Sequence, residues 1–272
     1  MARSGWLFSI AYLAVLVWFS VPLPAVVVAE PGCSPDALGT SRILGVEAST
    51  LPRVGRKQFP GTLPLARGEF VLTFDDGPRP GTTAAVLQAL RAQCVKATFF
   101  LVGRNAVEHP DLVRRERAEG HTVAHHTWSH PLLTRMSASA AEAQIDRGFA
   151  AVDDVLYGKH DAEPRTPFFR FPGFAATPAL LDRLQRRDVV VFGADLWASD
   201  WIAMSPDSEL RLVLQRMEQA GRGIVLFHDT KRQTATTLPA LLRAMKARGD
   251  HVVHVVPGKS GDSKPSAESV AR

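Results

Sequence analysis

Short apolar runs alternate with helical patterns along most of this chain of 272 residues, and this alternation constrains the fold more than any other feature. The predicted strands are Glu69–Phe74, Ala97–Val102, His121–Ala124, Pro167–Phe171, Val189–Gly193, Gly223–Phe227 and His251–Val256. Repeated strand–helix order favours a parallel sheet flanked by helices. Seven such units in one chain suit a distorted seven-stranded (β/α) barrel, an α/β fold in a single domain, better than an open sheet.

Helix signals fill the intervals between the predicted strands. Thr177 followed by Pro178 is typical of an N-cap with proline at the first helical position. Ser139 and Glu142 have the spacing of a capping box before a long helix. Gly221 follows an apolar helical face and predicts the end of that helix.

The two ends of the chain differ in character from the middle. Residues 6–29 carry no charge and are long enough to span a bilayer, so residues 1–29 are predicted to be a signal peptide or an N-terminal membrane anchor. Either interpretation exports the remainder to the periplasm or the extracellular space. Residues 30–67 are predicted to be a proline-rich linker, residues 68–257 the catalytic domain and residues 258–272 a disordered tail.

Composition narrows the function classes. The chain has 32 basic and 27 acidic residues, and the basic residues are scattered without an aromatic-interleaved stripe, so we expect no nucleic-acid partner. Two cysteines exclude a disulfide framework and a cysteine-based zinc ribbon. Cys33 and Cys94 could pair in an oxidising compartment. Because Cys33 falls in the predicted linker and Cys94 at a helix–strand junction, we expect Cys94 instead to be unpaired and partly buried.

Ionisable residues follow five of the seven predicted strands. The carboxyl ends of parallel strands meet at one rim of such a fold, where active sites lie. The residues collected at that rim are Asp75, Asp76, His126, His130, Arg170, Asp195, Asp200, His228 and Asp229.

The chemistry of this set is that of metal-assisted hydrolysis of an acyl bond. His126 and His130 lie four residues apart, and two imidazoles with one carboxylate form a ligand set that suits zinc and leaves a position for water. Successive side chains diverge, so one of Asp75 and Asp76 can hold the metal while the other acts as base. His228, across the rim, is a candidate proton donor to the leaving group.

Five motifs carry a resemblance to a known family over roughly residues 68–257. They are Thr73-Phe74-Asp75-Asp76-Gly77-Pro78, His126-Thr127-Trp128-Ser129-His130-Pro131, Arg170-Phe171-Pro172, Asp200-Trp201 and Leu226-Phe227-His228. This order resembles the polysaccharide deacetylases, carbohydrate esterase family 4, which includes chitooligosaccharide, peptidoglycan and acetylxylan deacetylases.

The resemblance implies a role for each matching position. The resemblance implies that Asp75 is the catalytic base and that Arg170 holds it, and that a divalent metal, usually zinc, is bound by Asp76, His126 and His130. It implies that His228 is the general acid and that Asp200 is the carboxylate that orients it. Trp201 and Leu226 are implied to line the acetyl pocket. The family usually has an aromatic residue after the proline of the third motif, where this chain has Gly173. A backbone N–H can still stabilise an oxyanion there, but a side-chain wall of the substrate groove is lost.

The expected activity is removal of N-acetyl groups from an N-acetylated glycan of the chitooligosaccharide or peptidoglycan type. An O-deacetylase of an acetylated polysaccharide is the first alternative, because only the leaving atom changes. A catalytically silent glycan-binding module on the same barrel is the second.

Overall fold

Parallel strands and intervening helices build the fold. This computed structural model describes residue 1 and residues 33–258. The strands are β1 (Thr40–Val46), β2 (Arg53–Val54), β3 (Glu69–Asp75), β4 (Thr98–Leu101), β5 (Thr122–His125), β6 (Phe168–Phe169), β7 (Val190–Phe192), β8 (Leu196–Trp197), β9 (Gly223–His228) and β10 (His251–Pro257). The α-helices are α1 (Thr82–Ala92), α2 (Gly103–Glu108), α3 (Pro110–Ala118), α4 (Ala138–Tyr157), α5 (Pro178–Arg186), α6 (Pro206–Ala220) and α7 (Arg232–Arg248), with short 3₁₀ helices at Leu133–Arg135 and Pro172–Phe174.

The sheet is a distorted parallel barrel centred on β3. Strand order is β1-β10-β3-β4-β5-β6-β7-β2, and β9 pairs with both β3 and β8. One edge of β3 is paired with β9, whereas the other is shared by β10 at its start and β4 at its end. The chain passes from β7 into β8 within four residues, and β8 pairs with β9. This pairing closes the ring of strands irregularly.

Side chains on β3 alternate between two cores, as a strand with both faces buried requires. Leu72 and Phe74 pack outward in the core beneath α1, α6 and α7. Val71 points inward to a second core inside the barrel. Thr73 and Asp75 share its parity, so Asp75 is the last inward-facing residue of the strand and lies at the carboxyl rim.

The predicted barrel and all seven predicted strands are confirmed. Thr177 caps α5 as predicted, since its side chain accepts a hydrogen bond from the Leu180 N–H. The predicted capping box is wrong. Ser137, which has an extended backbone, caps α4 and accepts from the Ala140 N–H, whereas Ser139 already lies inside the helix.

The predicted linker over residues 30–67 is also wrong for the part that the structure describes. Strand β1 pairs with β10 along its length, and β2 pairs with β7. Only one face of β1 is covered, and β2 has two residues, so neither gives the strong apolar run of a buried strand. Their pairing depends on partners far along the chain, which local sequence does not reveal.

The prediction of an unpaired Cys94 is also wrong, again because the contact joins residues far apart in the chain. Cys33 and Cys94 form a disulfide with a Cα–Cα separation of 6.0 Å. The segment after Cys33 lies against the end of α1, where the Gly39 N–H donates to the Gln93 carbonyl and the Thr40 hydroxyl donates to the Cys94 carbonyl. A linker free of the domain would not hold this position.

Within residues 33–258, no helix is both long and apolar enough to cross a membrane. The predicted signal peptide or anchor, apart from residue 1, and residues 259–272 of the predicted tail lie outside the described residues.

Candidate metal and catalytic site

Asp75 lies at the end of β3, at the top of the barrel interior, and is 3% exposed. Its Oδ1 accepts a hydrogen bond from Arg170 Nη1 at 2.7 Å, and its Oδ2 lies 3.9 Å from His126 Nε2. One oxygen is therefore anchored by a cation while the other faces the histidine cluster.

Arg170 is completely buried and holds Asp75 through a rigid set of contacts. Its guanidinium also donates to the Thr73 hydroxyl at 2.9 Å and the Gly193 carbonyl at 2.8 Å, and it lies 4.2 Å from the centroid of the Phe100 ring. Burial lowers the pKa of Arg170 and the Asp75 charge opposes that shift, so the side chain remains a cation.

Three side chains from two loops converge beside Asp75. Asp76 Oδ1 lies 3.1 Å from His130 Nε2 and 3.5 Å from His126 Nε2, and one ligand atom from each of the three residues lies within 4.8 Å of the others. Asp76 has a φ of 75°, so the chain leaves the extended conformation here, and the carboxylates of Asp75 and Asp76 both approach His126 Nε2, at 3.9 and 3.5 Å. Burial by itself raises the pKa of Asp76, but the two imidazoles outweigh it and hold the pKa well below its usual range.

A backbone carbonyl on the side of the His126 ring that faces away from the cluster fixes the orientation of that ring. Its Nδ1 lies 2.8 Å from the Arg170 carbonyl oxygen, which can only accept, so Nδ1 carries the proton and Nε2 presents a lone pair to the cluster. The loop that carries His130 is held by α4, because Gln144 accepts from the Ser129 N–H. Gly148 allows this close approach, since a Cβ there would lie 2.6 Å from the Thr127 carbonyl carbon.

The cluster fits a divalent cation. Two imidazoles and a carboxylate form a ligand set typical of zinc, and ligands about 2.0–2.1 Å from a tetrahedral ion are roughly 3.3 Å apart. The measured separations of 3.1 and 3.5 Å bracket that value. Asp76 Oδ1 is buried and, among the described residues, has no hydrogen-bond donor. This is expected of an atom that coordinates a metal ion.

His228, at the end of β9, faces the cluster from the other side of the cavity. Its Nδ1 lies 2.7 Å from Asp200 Oδ1, and its backbone N–H donates to Asp200 Oδ2 at 2.6 Å. Thr234 fixes the same carboxylate by donating to Oδ2 at 2.7 Å. Burial lowers the pKa of His228, but the hydrogen bond and charge of Asp200 outweigh it and raise the pKa to about 9.

Asp195 and Asp229, the other carboxylates near the predicted rim, have structural partners. Asp195 accepts from the Ile224 N–H at 2.8 Å and from the Thr62 hydroxyl at 2.6 Å. Asp229 accepts from the Thr83 hydroxyl and lies beneath Gly77, where a Cβ would meet its carboxylate. Of the three carboxylates Asp195, Asp200 and Asp229, Asp200 is the one bonded to the His228 ring.

A cavity of about 400 Å³ connects these groups. It is lined by Asp75, Asp76, His126, His130, Phe171, Gly173, Phe174, Trp197, Trp201, Leu226, His228 and Lys231. Every metal and pocket residue predicted from the sequence lines it, together with Asp75 and His228. Arg170 and Asp200 lie behind its wall, as the partners of those two residues.

The sequence did not predict Trp197 or Lys57 as part of this region. Trp197 stacks on Phe174 with ring centroids 6.4 Å apart, and the Lys57 ammonium lies 5.1 Å from the Trp197 centroid. Phe174 therefore supplies an aromatic wall although Gly173 has no side chain. Lys57 belongs to the segment predicted to be a linker, and its position depends on the Lys57 N–H donating to the Ala194 carbonyl.

His125 was predicted to point away from the metal cluster, and it does. The ring packs edge-on against Phe149 at 4.7 Å between centroids, outside the barrel. Burial lowers the pKa of His125 to about 3, so it is neutral.

The distorted barrel and the Asp-His-His cluster at its carboxyl rim define a class, and the chain belongs to the polysaccharide deacetylase family. The sequence profile of that family, described as polysaccharide deacetylase, matches residues 64–192. The chain is 33% identical to a chitooligosaccharide deacetylase of Rhizobium leguminosarum bv. trifolii, over 65% of this chain and 86% of the relative.

Peptidoglycan-directed relatives are similar too. The chain is 34% identical to a peptidoglycan-N-acetylglucosamine deacetylase of Listeria monocytogenes, over 68% of this chain but only 37% of the relative's length. Among solved structures, the peptidoglycan deacetylase of Bdellovibrio bacteriovorus superposes with a TM-score of 0.71 at 32% identity, over 85% of this chain and 61% of the other.

Proposed function

We propose that this protein is a metal-dependent hydrolase that removes N-acetyl groups from an N-acetylated glycan of the peptidoglycan or chitooligosaccharide type. One observation carries the proposal. An anchored carboxylate, Asp75, and an oriented imidazole, His228, line one cavity together with the Asp76, His126 and His130 cluster. Hydrolysis of an amide needs these three parts: a base, an acid and a site that polarises the carbonyl.

Asp76, His126 and His130 would hold the divalent ion, for which we propose zinc. When bound, such an ion lowers the pKa of a water ligand to about 7 and polarises an acyl carbonyl. Arg170 holds Asp75 Oδ1, so Oδ2 is the oxygen that takes the proton of the attacking water.

His228 completes the reaction on the leaving group. Its Nδ1 proton is held by Asp200, which leaves Nε2–H to protonate the sugar nitrogen as the C–N bond breaks, giving acetate and a free amine. Gly173 lines the same cavity, which makes its backbone N–H the candidate oxyanion donor.

The arrangement favours an amide over an ester and over a silent module. An amine leaves poorly without a proton, and the paired His228 and Asp200 meet that need, whereas an alkoxide leaves more readily. A silent module needs neither an anchored base nor a paired acid, and both are present here.

The test is release of acetate from a panel of chitin oligomers, peptidoglycan and acetylated xylan, with protein that has been stripped of metal and then reloaded with zinc. We expect zinc-dependent acetate from the first two substrates, with a new primary amine on the glycan. Acetate from xylan alone would replace the proposal with O-deacetylation, and no acetate from any substrate would overturn it.

Replacing Asp200 with asparagine should move the alkaline limb of the pH–rate profile to lower pH. The acid form of His228 is the active one, and with Asp200 present its pKa is about 9. Loss of the carboxylate charge removes the largest of the effects that oppose burial, while the charges of Asp75 and Asp76 remain, so the limb should shift by about 1–3 pH units.

The measurement is kcat/KM against pH for Asp200→Asn and for Asp207→Asn, an exposed carboxylate on α6 that serves as control. The control should leave the limb in place. An unchanged limb in Asp200→Asn would assign the alkaline titration to another group.

We also propose that the domain works outside the cytoplasm, in the periplasm or the extracellular space. The Cys33–Cys94 disulfide supports this, because such bonds persist in oxidising compartments. Cell fractionation of the full chain tests it, and recovery in the cytosolic fraction with both thiols reduced would contradict it.

A further inference from the structure

Two clefts share lining residues with the catalytic cavity, and four cations line them. The first has a volume of about 400 Å³, shares Asp76 and His130 with the catalytic cavity, and carries Arg79 and Arg104. The second has a volume of about 590 Å³ and carries Arg79, Lys231 and Arg232, of which Lys231 also lines the catalytic cavity. We call Arg79, Arg104, Lys231 and Arg232 the basic collar.

The collar cations have no carboxylate partners within residues 33–258. Some other arginines of the described chain are paired, as Arg42 is with Glu69 at 2.6 Å and Arg187 with Asp146 at 2.6 Å, whereas others, such as Arg243, have no carboxylate partner in residues 33–258. Arg79, Arg104 and Arg232 are instead exposed, and Lys231 is half-buried. Within the described part of the chain, no ion pair neutralises these charges.

Acidic groups in the two clefts are few. Besides Asp76, whose charge belongs to the metal cluster, Glu108 is the one carboxylate that lines either cleft among the described residues. The clefts therefore present a positive field to anything that enters the catalytic cavity from this side.

We propose that the basic collar binds carboxylates carried by the glycan, which makes the preferred substrate a peptide-bearing peptidoglycan chain and not a neutral chitooligosaccharide. This inference rests on the proposed deacetylase function. The peptide, joined by an amide bond to the lactyl group of muramic acid, places free carboxylates beside N-acetylglucosamine, and a lactyl group without a peptide ends in a carboxylate itself. Guanidinium groups form charge-assisted, bidentate contacts with carboxylates, whereas neutral sugar hydroxyls satisfy them poorly.

Arg79 is the central residue of the collar because it lines both clefts. Its backbone N–H donates to the Thr83 hydroxyl, a contact that survives a change of side chain. Its exposed side chain can therefore be reversed in charge without disturbing the loop that carries Asp75 and Asp76.

The experiment compares kcat/KM on a disaccharide-peptide fragment of peptidoglycan and on a chitin oligomer of equal sugar length. Arg79→Glu and Arg104→Glu are measured with the zinc-loaded protein, each beside Arg243→Glu, an exposed arginine of α7 without a carboxylate partner in residues 33–258. Each collar variant should lower the ratio of acidic to neutral kcat/KM about tenfold, since attraction becomes repulsion, and the control should leave the ratio unchanged.

Salt provides a second readout. Raising ionic strength from roughly 50 to 500 mM should lower wild-type kcat/KM on the peptide-bearing fragment and leave the neutral oligomer nearly unaffected, because screening weakens exposed charge contacts. A third substrate is the same peptidoglycan disaccharide with the peptide removed, in which the lactyl amide has become a carboxylate. It shows whether a carboxylate next to the sugar ring is sufficient or whether the collar requires the peptide carboxylates.

The experiment distinguishes failure of the collar inference from failure of the proposed deacetylase function. Acetate from both glycans with an equal loss in the collar variants, or with a ratio that matches Arg243→Glu, would overturn the collar inference and leave the deacetylase function standing. No acetate from either glycan would overturn the deacetylase function and the inference together. Melting temperatures of the variants show whether each is folded.

Discussion

His126→Ala is expected to lose both stoichiometric zinc and all measurable deacetylation. The side chain provides one of three ligand atoms that lie within 4.8 Å of one another, and its Nε2 is aimed into the cluster by the hydrogen bond from Nδ1–H to the Arg170 carbonyl. Two remaining ligands cannot retain an ion that the site holds with three protein groups. Metal content by elemental analysis and acetate release measure the two losses.

His125→Ala is the matched control for this variant. The two histidines are adjacent and almost equally buried, but His125 packs on Phe149 outside the barrel. Its removal should lower stability by the loss of packing and leave one zinc per chain. Full zinc content in His126→Ala, or equal metal loss in the two variants, would refute the ligand assignment.

Asp75→Asn is expected to keep its zinc and to lose about 10²–10⁴-fold in turnover, the usual contribution of a general base. The amide can still accept the hydrogen bond from Arg170, but it cannot take a proton from water. Asp75 Oδ2 lies 3.9 Å from His126 Nε2, farther than Asp76 Oδ1 lies from either imidazole, which separates the base from the ligands.

The same substitution should also reduce stability. Arg170 is completely buried and its ion-pair partner within residues 33–258 is Asp75, so the variant leaves a buried cation without a counter-charge. Breaking a buried pair in this way costs about 3–5 kcal/mol of unfolding free energy. Denaturant unfolding measures this, with Thr73→Val as a control that removes one neutral contact to Arg170.

Metal loss would reverse the assignment of the two aspartates. If Asp75→Asn loses zinc in proportion to its rate while Asp76→Asn retains it, then Asp75 is the ligand and Asp76 the base. Retained zinc together with retained turnover would show that neither role belongs to Asp75.

Much of the barrel and of the reacting residues could be predicted from the sequence. Strands such as β3 and β9 are buried on both faces, and their continuous apolar runs are a local signal. The Asp75-Asp76 pair comes at the end of such a predicted strand, and His126 and His130, four residues apart, come after another. Because parallel strands end at a common rim, strand ends alone predicted which side chains would meet.

The roles of individual carboxylates depended on tertiary contacts. Asp195, Asp200 and Asp229 all follow late strands, and nothing local distinguishes them. Asp200 alone accepts from the His228 ring, because Asp195 is used by the Ile224 N–H and Asp229 by the Thr83 hydroxyl.

The segment between Cys33 and β3 shows most clearly what could not be predicted from the sequence. Its strands are short or half-exposed, so pairing with β10 and β7, not local propensity, determines their structure. That pairing positions Cys33 beside Cys94 and Lys57 over Trp197. The sequence by itself therefore determined the barrel strands and the residues at their ends, which local burial patterns encode. Only the tertiary structure decided the disulfide, the partner of His228 and the wall of the cavity, because each depends on contacts between residues far apart in the chain.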